Sequence, residues 1–245
     1  MAKDRSDGAP APAPLATEVA DASSCDEINA FLEQVRRLPP TNVGTHGRLI
    51  FALDATMSRQ PTWDQACRLQ ADMFREAAVS GSLDIQLVYY RGLAECRSSD
   101  WVSDARRLAG LMEKIECRGG NTQIGRVLAH ARRETGRTKV QALVFVGDAV
   151  EEAIDELSTA AGELGLLGVP VFVFQEGRDA VTEQAFREIA RLSHGAYGRF
   201  NPGAADELGD LLRAAAAYAA GGLRALNDLS QRQNAGAVRL LAQLR

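Results

Sequence analysis

Leu49-Ile50-Phe51-Ala52-Leu53-Asp54-Ala55-Thr56-Met57-Ser58 decides how this chain is read. Its first five residues form an unbroken apolar run, closed by a carboxylate. A run without polar alternation suits a strand buried on both faces, as in a parallel sheet covered by helices. The residues that follow do alternate: Asp54, Thr56 and Ser58 each carry a side-chain oxygen, with Ala55 and Met57 between them. In an extended turn alternate side chains point the same way, so three oxygens can converge.

Working outward, an α/β rhythm appears. Pro61 and Thr62 open a helix that carries Ala66, Leu69, Met73 and Phe74. Ile85–Tyr90 reads as a second strand, and Arg91-Gly92 as a turn into a short third strand near Leu93–Arg97. The spacing of Leu108, Leu111, Met112 and Ile115 predicts a helix over 103–115, with Trp101 at its opening. Gly119-Gly120-Asn121-Thr122 is a loop before a helix that ends near Arg133. Val140–Val146 and Val169–Phe174 are apolar strands around a helix over 153–167. A helix over 183–192, a last short strand at Ala196–Phe200 and a helix over 205–220 complete the series. Such alternation implies crossover units and a mostly parallel sheet with helices on both faces.

The flanks read differently. Residues 1–22 are rich in Ala, Pro, Ser and Asp, too poor in apolar surface to offset the entropy of ordering, and read as a disordered tail. Ile28, Phe31, Leu32 and Val35 fall on one face of a helix over 25–38, stopped by Pro39-Pro40. Gly221-Gly222 punctuates the end of the α/β region. Beyond it, a terminal helical extension over 223–245 carries an apolar stripe of Leu223, Leu226, Leu229, Val238, Leu241 and Leu244. That stripe packs on its own domain or meets a partner.

Composition narrows the function. With 28 basic and 32 acidic residues the chain of 245 carries a net charge of −4, which argues against a nucleic-acid binder working by bulk positive charge. The longest uncharged run, Leu164 to Gln175, is too short to span a bilayer. The first residues lack the apolar core of a signal peptide, so a cytoplasmic location and reduced cysteines are expected. Cys25, Cys67, Cys96 and Cys117 include no CxxC pair.

In an open parallel sheet, ligands bind beyond the carboxyl ends of the strands. Three segments fall there: Asp54-x-Thr56-x-Ser58, the glycine loop ending in Thr122, and Gly147-Asp148. They offer two carboxylates and three hydroxyls, hard oxygens suited to Mg²⁺, Mn²⁺ or Ca²⁺ rather than to zinc. Taken singly each has a plainer role: Asp54, Thr56, Ser58 or Thr122 could cap a following helix.

Taken together and in this order, Asp54, Thr56, Ser58, Thr122 and Asp148 resemble the metal-ion-dependent adhesion site (MIDAS) of von Willebrand factor type A (VWA) domains. The resemblance covers residues 47–220. It implies a Rossmann-like, doubly wound, mostly parallel six-stranded sheet with one short antiparallel edge strand and helices on both faces. It also implies that Thr56 and Ser58 coordinate a divalent cation, most readily Mg²⁺, that Thr122 joins them, and that Asp54 and Asp148 act largely through bound water. Met57 and Ala149 stand where the family commonly has Gly. The implied function is a non-enzymatic protein-interaction adaptor. Its cation would capture an Asp or Glu of a partner protein, such as an AAA+ ATPase or chaperone-like machine. Two other readings are a structural subunit with a degenerate site and a Mg²⁺-dependent phosphohydrolase with Asp54 as nucleophile. The latter needs a late Lys, for which only Lys114 and Lys139 are available.

Other features carry less. Gly162-x-x-Gly165-x-x-Gly168 is not a dinucleotide turn, no P-loop or GxSxG elbow occurs, and His46, His130 and His194 show no metal spacing. His130 reads as a surface residue, Trp63 and Trp101 as packing residues, with Trp63 near enough to the expected metal to line a contact surface as well. Glu151 and Glu152, close behind Asp148, either flank the site and repel an acidic partner or, the plainer reading, favour the start of their own helix.

Overall fold

A computed structural model describes residues 47–59, 83–201 and 205–244. The tail over 1–22, the helix over 25–38 and the helix opened by Pro61 lie outside the described residues, as do Cys25, His46, Trp63 and Cys67.

Six strands form one sheet: β1 (Gly47–Asp54), β2 (Leu83–Arg91), β3 (Glu95–Val102), β4 (Ala142–Gly147), β5 (Val171–Glu176) and β6 (Ala196–Phe200). Their order is β3-β2-β1-β4-β5-β6, and only the β2–β3 pair is antiparallel. The described helices are α1 (Ala105–Met112), α2 (Ile124–Arg137), α3 (Ile154–Leu166), α4 (Ala180–Leu192), α5 (Ala205–Gln231) and α6 (Ala235–Leu241). The sheet is doubly wound, and strand order reverses between β1 and β4. That switch point opens a crevice at the carboxyl ends of both strands.

β1 is the hinge of the two layers. Leu49, Phe51 and Leu53 enter one core with Leu108 of α1 and Leu211 and Leu212 of α5. Ile50 and Ala52 enter the other with Val127 of α2, Leu157 of α3 and Phe186 of α4. Every residue from Leu49 to Leu53 is fully buried. Burying a large apolar side chain stabilises by about 1.5–3 kcal/mol, which fixes the strand register. A slip of one residue would put Asp54 into the wrong layer.

The edge strand departs from the sequence reading. β3 is not short: it starts at Glu95 and runs to Val102, so Trp101 lies within a strand rather than opening a helix. Glu95–Val102 is mostly polar and only partly covered, so its composition hides the strand, and pairing to β2 imposes it. The Trp101 indole donates to Glu134 at 3.0 Å, and the Arg48 guanidinium lies 3.8 Å from its ring centroid. α1 begins after Asp104, whose carboxylate accepts the Arg106 and Arg107 N–H groups. His130 is half-buried rather than at the surface, with Nε2 at 2.8 Å from the Gln86 side-chain oxygen. Cys96 and Cys117 are free thiols.

The terminal segment is two helices, not one. α5 kinks at Gly221 and Gly222, the latter at φ 65°, and continues to Gln231. Asn234 then caps α6 by accepting the Ala237 N–H. Leu226 and Leu240 are fully buried, while Leu223 and Val238 are exposed. α6 runs beside the outer edge of β6, and side chains there take the place of a further strand. The Gln243 amide accepts from the Tyr197 N–H at 2.8 Å and donates to the Tyr197 carbonyl at 2.9 Å. Arg239 donates to the Arg199 carbonyl at 3.0 Å. An otherwise open sheet edge is thereby covered. Gln243→Ala is expected to lower stability by about 1–2 kcal/mol, the net worth of two hydrogen bonds, with an unchanged urea m-value. An unchanged urea midpoint would show that α6 packing alone holds this edge.

Candidate metal centre

β1 delivers Asp54 to the crevice, fully buried and with both oxygens engaged. Oδ1 accepts the Thr56 N–H at 2.7 Å, and Oδ2 accepts the hydroxyl of Tyr90 at 2.9 Å. Tyr90 stands opposite Asp54 in the β1–β2 register, so the sheet itself supplies this partner. The chain then closes into a 3-10 turn, Met57–Arg59, that brings the Thr56 and Ser58 hydroxyls to 3.1 Å. The Ala55 N–H donates to the Tyr90 carbonyl, and the Ala55 carbonyl accepts the Arg118 N–H, both at 3.0 Å. The turn is thus held from both sides.

Arg118 leads into the glycine loop. Gly120 lies so close to the β2–β3 turn that a Cβ there would stand 2.0 Å from the Gly92 carbonyl oxygen. Gln123 donates to the Arg91 and Gly92 carbonyls at 3.3 and 3.2 Å. Thr122 is locked reciprocally to the loop after β4. Its N–H donates to the Glu151 carboxylate, and its hydroxyl accepts the Glu151 N–H, each at 2.9 Å. Glu152 accepts from the Ile124 and Gly125 N–H groups, both at 2.8 Å. Glu151 and Glu152 therefore serve Thr122 and the start of α2, not the helix that follows them in sequence. Thr122 does not cap α2 either; the α2 N-cap residue is Gln123, whose side chain makes no capping bond. Glu152 supplies that cap, and its negative charge suits the helix N-terminus.

Asp148 follows β4 directly. Its Oδ1 is buried and has no hydrogen-bond partner among the described residues. A buried acceptor without a donor costs about 1–3 kcal/mol, more when charged, so this oxygen is open to a water, an ion or another donor. Burial pushes the Asp54 carboxyl above the ordinary carboxylate range. The Thr56 hydrogen bonds oppose that rise, the charge of Asp148 adds to it, and Tyr90 opposes it. Arg59, immediately after Ser58, is the largest fully buried side chain and pairs with Glu176. Burial lowers its pKa, while Asp148 and Asp54 hold it up. In formal charge, three carboxylates (Asp54, Asp148 and Glu176) against one guanidinium leave a surplus of two in a largely desolvated place.

That surplus fits a divalent cation. No cluster of three or more His, Cys, Asp or Glu side chains placed to hold a metal occurs among the described residues. A cation here would therefore rely on hydroxyl and water oxygens beside Asp54 and Asp148, a hard-oxygen set. The structure joins Asp54, Thr56 and Ser58 in one turn. It ties Thr122 to the loop of Asp148 and sets Asp148 within electrostatic reach of Asp54. Tyr90, Arg59 and Glu176 were not read from the sequence, and of these only Arg59 leaves a trace, as a charge next to an oxygen-rich turn. Glu151 has a place beside the site as one of its two sequence readings, but its bonds to Thr122 were not foreseen.

No family model matches this sequence, and no curated protein matches it. Solved structures do. The SpRpn10 VWA domain aligns with a TM-score of 0.54 at 12% identity, over 64% of this chain and 89% of that one. The vWF domain of the type V pili tip protein Mfa5 from Porphyromonas gingivalis aligns with a TM-score of 0.56 at 10% identity, over 70% of this chain and 95% of that one. The fold is that of a von Willebrand factor type A domain. A third VWA-like neighbour is proximal thread matrix protein 1 from the mussel byssus, in a structure with a zinc-occupied MIDAS motif. It aligns with a TM-score of 0.55 at 17% identity, over 70% of this chain and 46% of that one. At these identities the likeness is one of fold.

The close packing of Gly120 in this VWA sheet gives a direct test. Gly120→Ala is expected to cost about 1–3 kcal/mol by overpacking and to part Thr122 from Glu151. Amide exchange at Thr122 and Glu151 would then rise more than at Val144 in β4. Equal protection in variant and wild type would mean the loop yields without disturbing the centre.

Proposed function

We propose that this chain is a metal-dependent protein-interaction module, a cytoplasmic adaptor built on residues 47–220, with residues 223–245 as an extension packed back on it. Thr56, Ser58 and Thr122 would hold Mg²⁺, or Mn²⁺ or Ca²⁺, through their hydroxyls, and Asp54 and Asp148 largely through water. The observation that carries this reading is the buried, unpartnered Asp148 Oδ1 beside the hydroxyl-bearing turn of Asp54. When bound, a cation held by neutral hydroxyls remains under-neutralised and attracts an external anionic oxygen, here a partner's Asp or Glu. The resemblance to VWA adaptors extends the proposal to a partner of AAA+ ATPase or chaperone-like type.

The surroundings suit contact with another protein. Met57 is 54% exposed beside the turn, and Leu93 is 80% exposed on the neighbouring β2–β3 turn. Contact with another protein would take both apolar side chains out of water. The geometry suits phosphohydrolysis poorly. Asp54 is buried with both oxygens engaged, and Lys139 bonds the Leu167 and Gly168 carbonyls at the opposite edge of the sheet.

Calorimetry of chelator-stripped protein with MgCl₂ or MnCl₂ tests the proposal. One cation per chain is expected, with a rise in stability of about 2.7 kcal/mol at a hundredfold excess over Kd. Asp54→Asn should lose this rise. Without metal it should melt within a few degrees of wild type, because burying an ionised carboxylate costs stability. Thr122→Ala should weaken binding without unfolding the protein. A folded wild-type protein that takes up no cation would instead be a structural subunit with a degenerate site.

A further inference from the structure

β6 borders an open cleft of about 500 Å³ on the side of the sheet away from β3. Four arginines from four elements line it: Arg178 in the β5–α4 loop, Arg187 on α4, Arg199 on β6 and Arg239 on α6. In a chain of net charge −4 this is a local reversal of sign. Arg187 and Arg199 share one acid, Glu183, at 2.9 and 3.2 Å. Arg187 also lies over the Tyr197 ring, its guanidinium carbon 4.4 Å from the centroid. Arg239 donates to the Arg199 carbonyl but meets no carboxylate among the described residues. Arg178 makes neither a hydrogen bond nor an ion pair there. Glu183 lies behind the lining; the acid in the lining itself, Glu207, accepts the Asn201 N–H at 3.4 Å. With Glu183 and Glu207 counted against the four arginines, a surplus of two positive charges faces the opening.

The identity and spread of these groups define the ligand. Guanidinium forks match carboxylates and phosphates in a bidentate manner. Arg187 and Arg199 already converge on Glu183, while Arg178 and Arg239 reach the lining from two further elements and meet no carboxylate among the described residues, which suits an extended chain carrying more than one anionic group. We propose that this cleft docks an acidic peptide segment of a partner protein, a short run containing several Asp or Glu residues. Arg178 and Arg239, which meet no carboxylate among the described residues, are the anchors, and the Arg187–Tyr197 stack is a preformed wall. The proposal stands apart from the metal centre: none of its groups belongs to Asp54, Thr56, Ser58, Thr122 or Asp148.

The test uses the full chain carrying Asp54→Ala, so that no cation at the crevice can hold an anion. Calorimetry compares a capped eight-residue peptide with four Glu residues, its Gln counterpart and inorganic pyrophosphate. The Glu peptide is expected to bind, to weaken at least tenfold between 50 and 300 mM salt, and to outcompete pyrophosphate. The Gln peptide should not bind. Arg178→Gln with Arg239→Gln should weaken the Glu peptide at least tenfold, while the melting temperature falls by no more than the few degrees that loss of the Arg239–Arg199 hydrogen bond accounts for. Equal binding of the Gln peptide, or affinity indifferent to the double substitution, overturns the proposal. Tighter binding of pyrophosphate than of the Glu peptide overturns it in favour of a small-phosphate site. Failure of this test leaves the metal titration untouched, and failure of the metal titration leaves this test untouched.

Discussion

Asp54 and Asp148 stand at the carboxyl ends of the neighbouring strands β1 and β4, and the loops at that edge of the sheet are fastened around these two acids. Neither acid can be moved independently. Asp54 is fixed by the β1 register, which two apolar layers hold, and Asp148 by β4, the most apolar strand beside it. Arg59 and Glu176 add one charge of each sign and leave the surplus unchanged. Such an arrangement does not serve stability, since buried acids kept apart from water cost free energy. Its physical sense lies in what it attracts.

The loops are fastened to one another rather than to solvent. Gly120 is pressed on the Gly92 carbonyl, Thr122 and Glu151 exchange hydrogen bonds, and Glu152 caps α2 from another crossover. Three connections that are distant in sequence therefore share one set of contacts. Their hydroxyl and carboxylate oxygens are held in place before anything binds, which lowers the entropic cost of binding. The basic cleft beside β6 lies on the same sheet, at the edge away from β3. Both surfaces would recruit acidic side chains, one through a cation and the other through guanidinium groups.

Much of this was legible in the chain. The apolar run Leu49–Leu53 reads as a central strand because burial on both faces removes alternation. The order of Asp54, Thr56, Ser58, Thr122 and Asp148 points to one sheet edge because each follows a strand or opens a helix. Glu95–Val102 escaped because an edge strand need not be apolar, and Trp101 was drawn into the following helix for the same reason. Tyr90 and Glu176 reach the site by strand register, which pairs residues far apart in sequence. Glu151 and Glu152 act across space on Thr122 and α2, contacts that neither sequence reading of them, flanking the site or favouring the helix they precede, specifies. The split of the terminal segment into α5 and α6 follows from Asn234, a capping residue inside what looks like one stripe.

Substoichiometric Mn²⁺ added to isotope-labelled, chelator-stripped protein offers the most direct check, because its unpaired electrons broaden nearby amide resonances. Resonances of Ala55, Thr56, Thr122 and Asp148 should vanish first, while those of Lys139 and Leu166 at the opposite edge persist. Broadening centred on other acidic residues, or none at all, would contradict a cation held between Asp54 and Asp148.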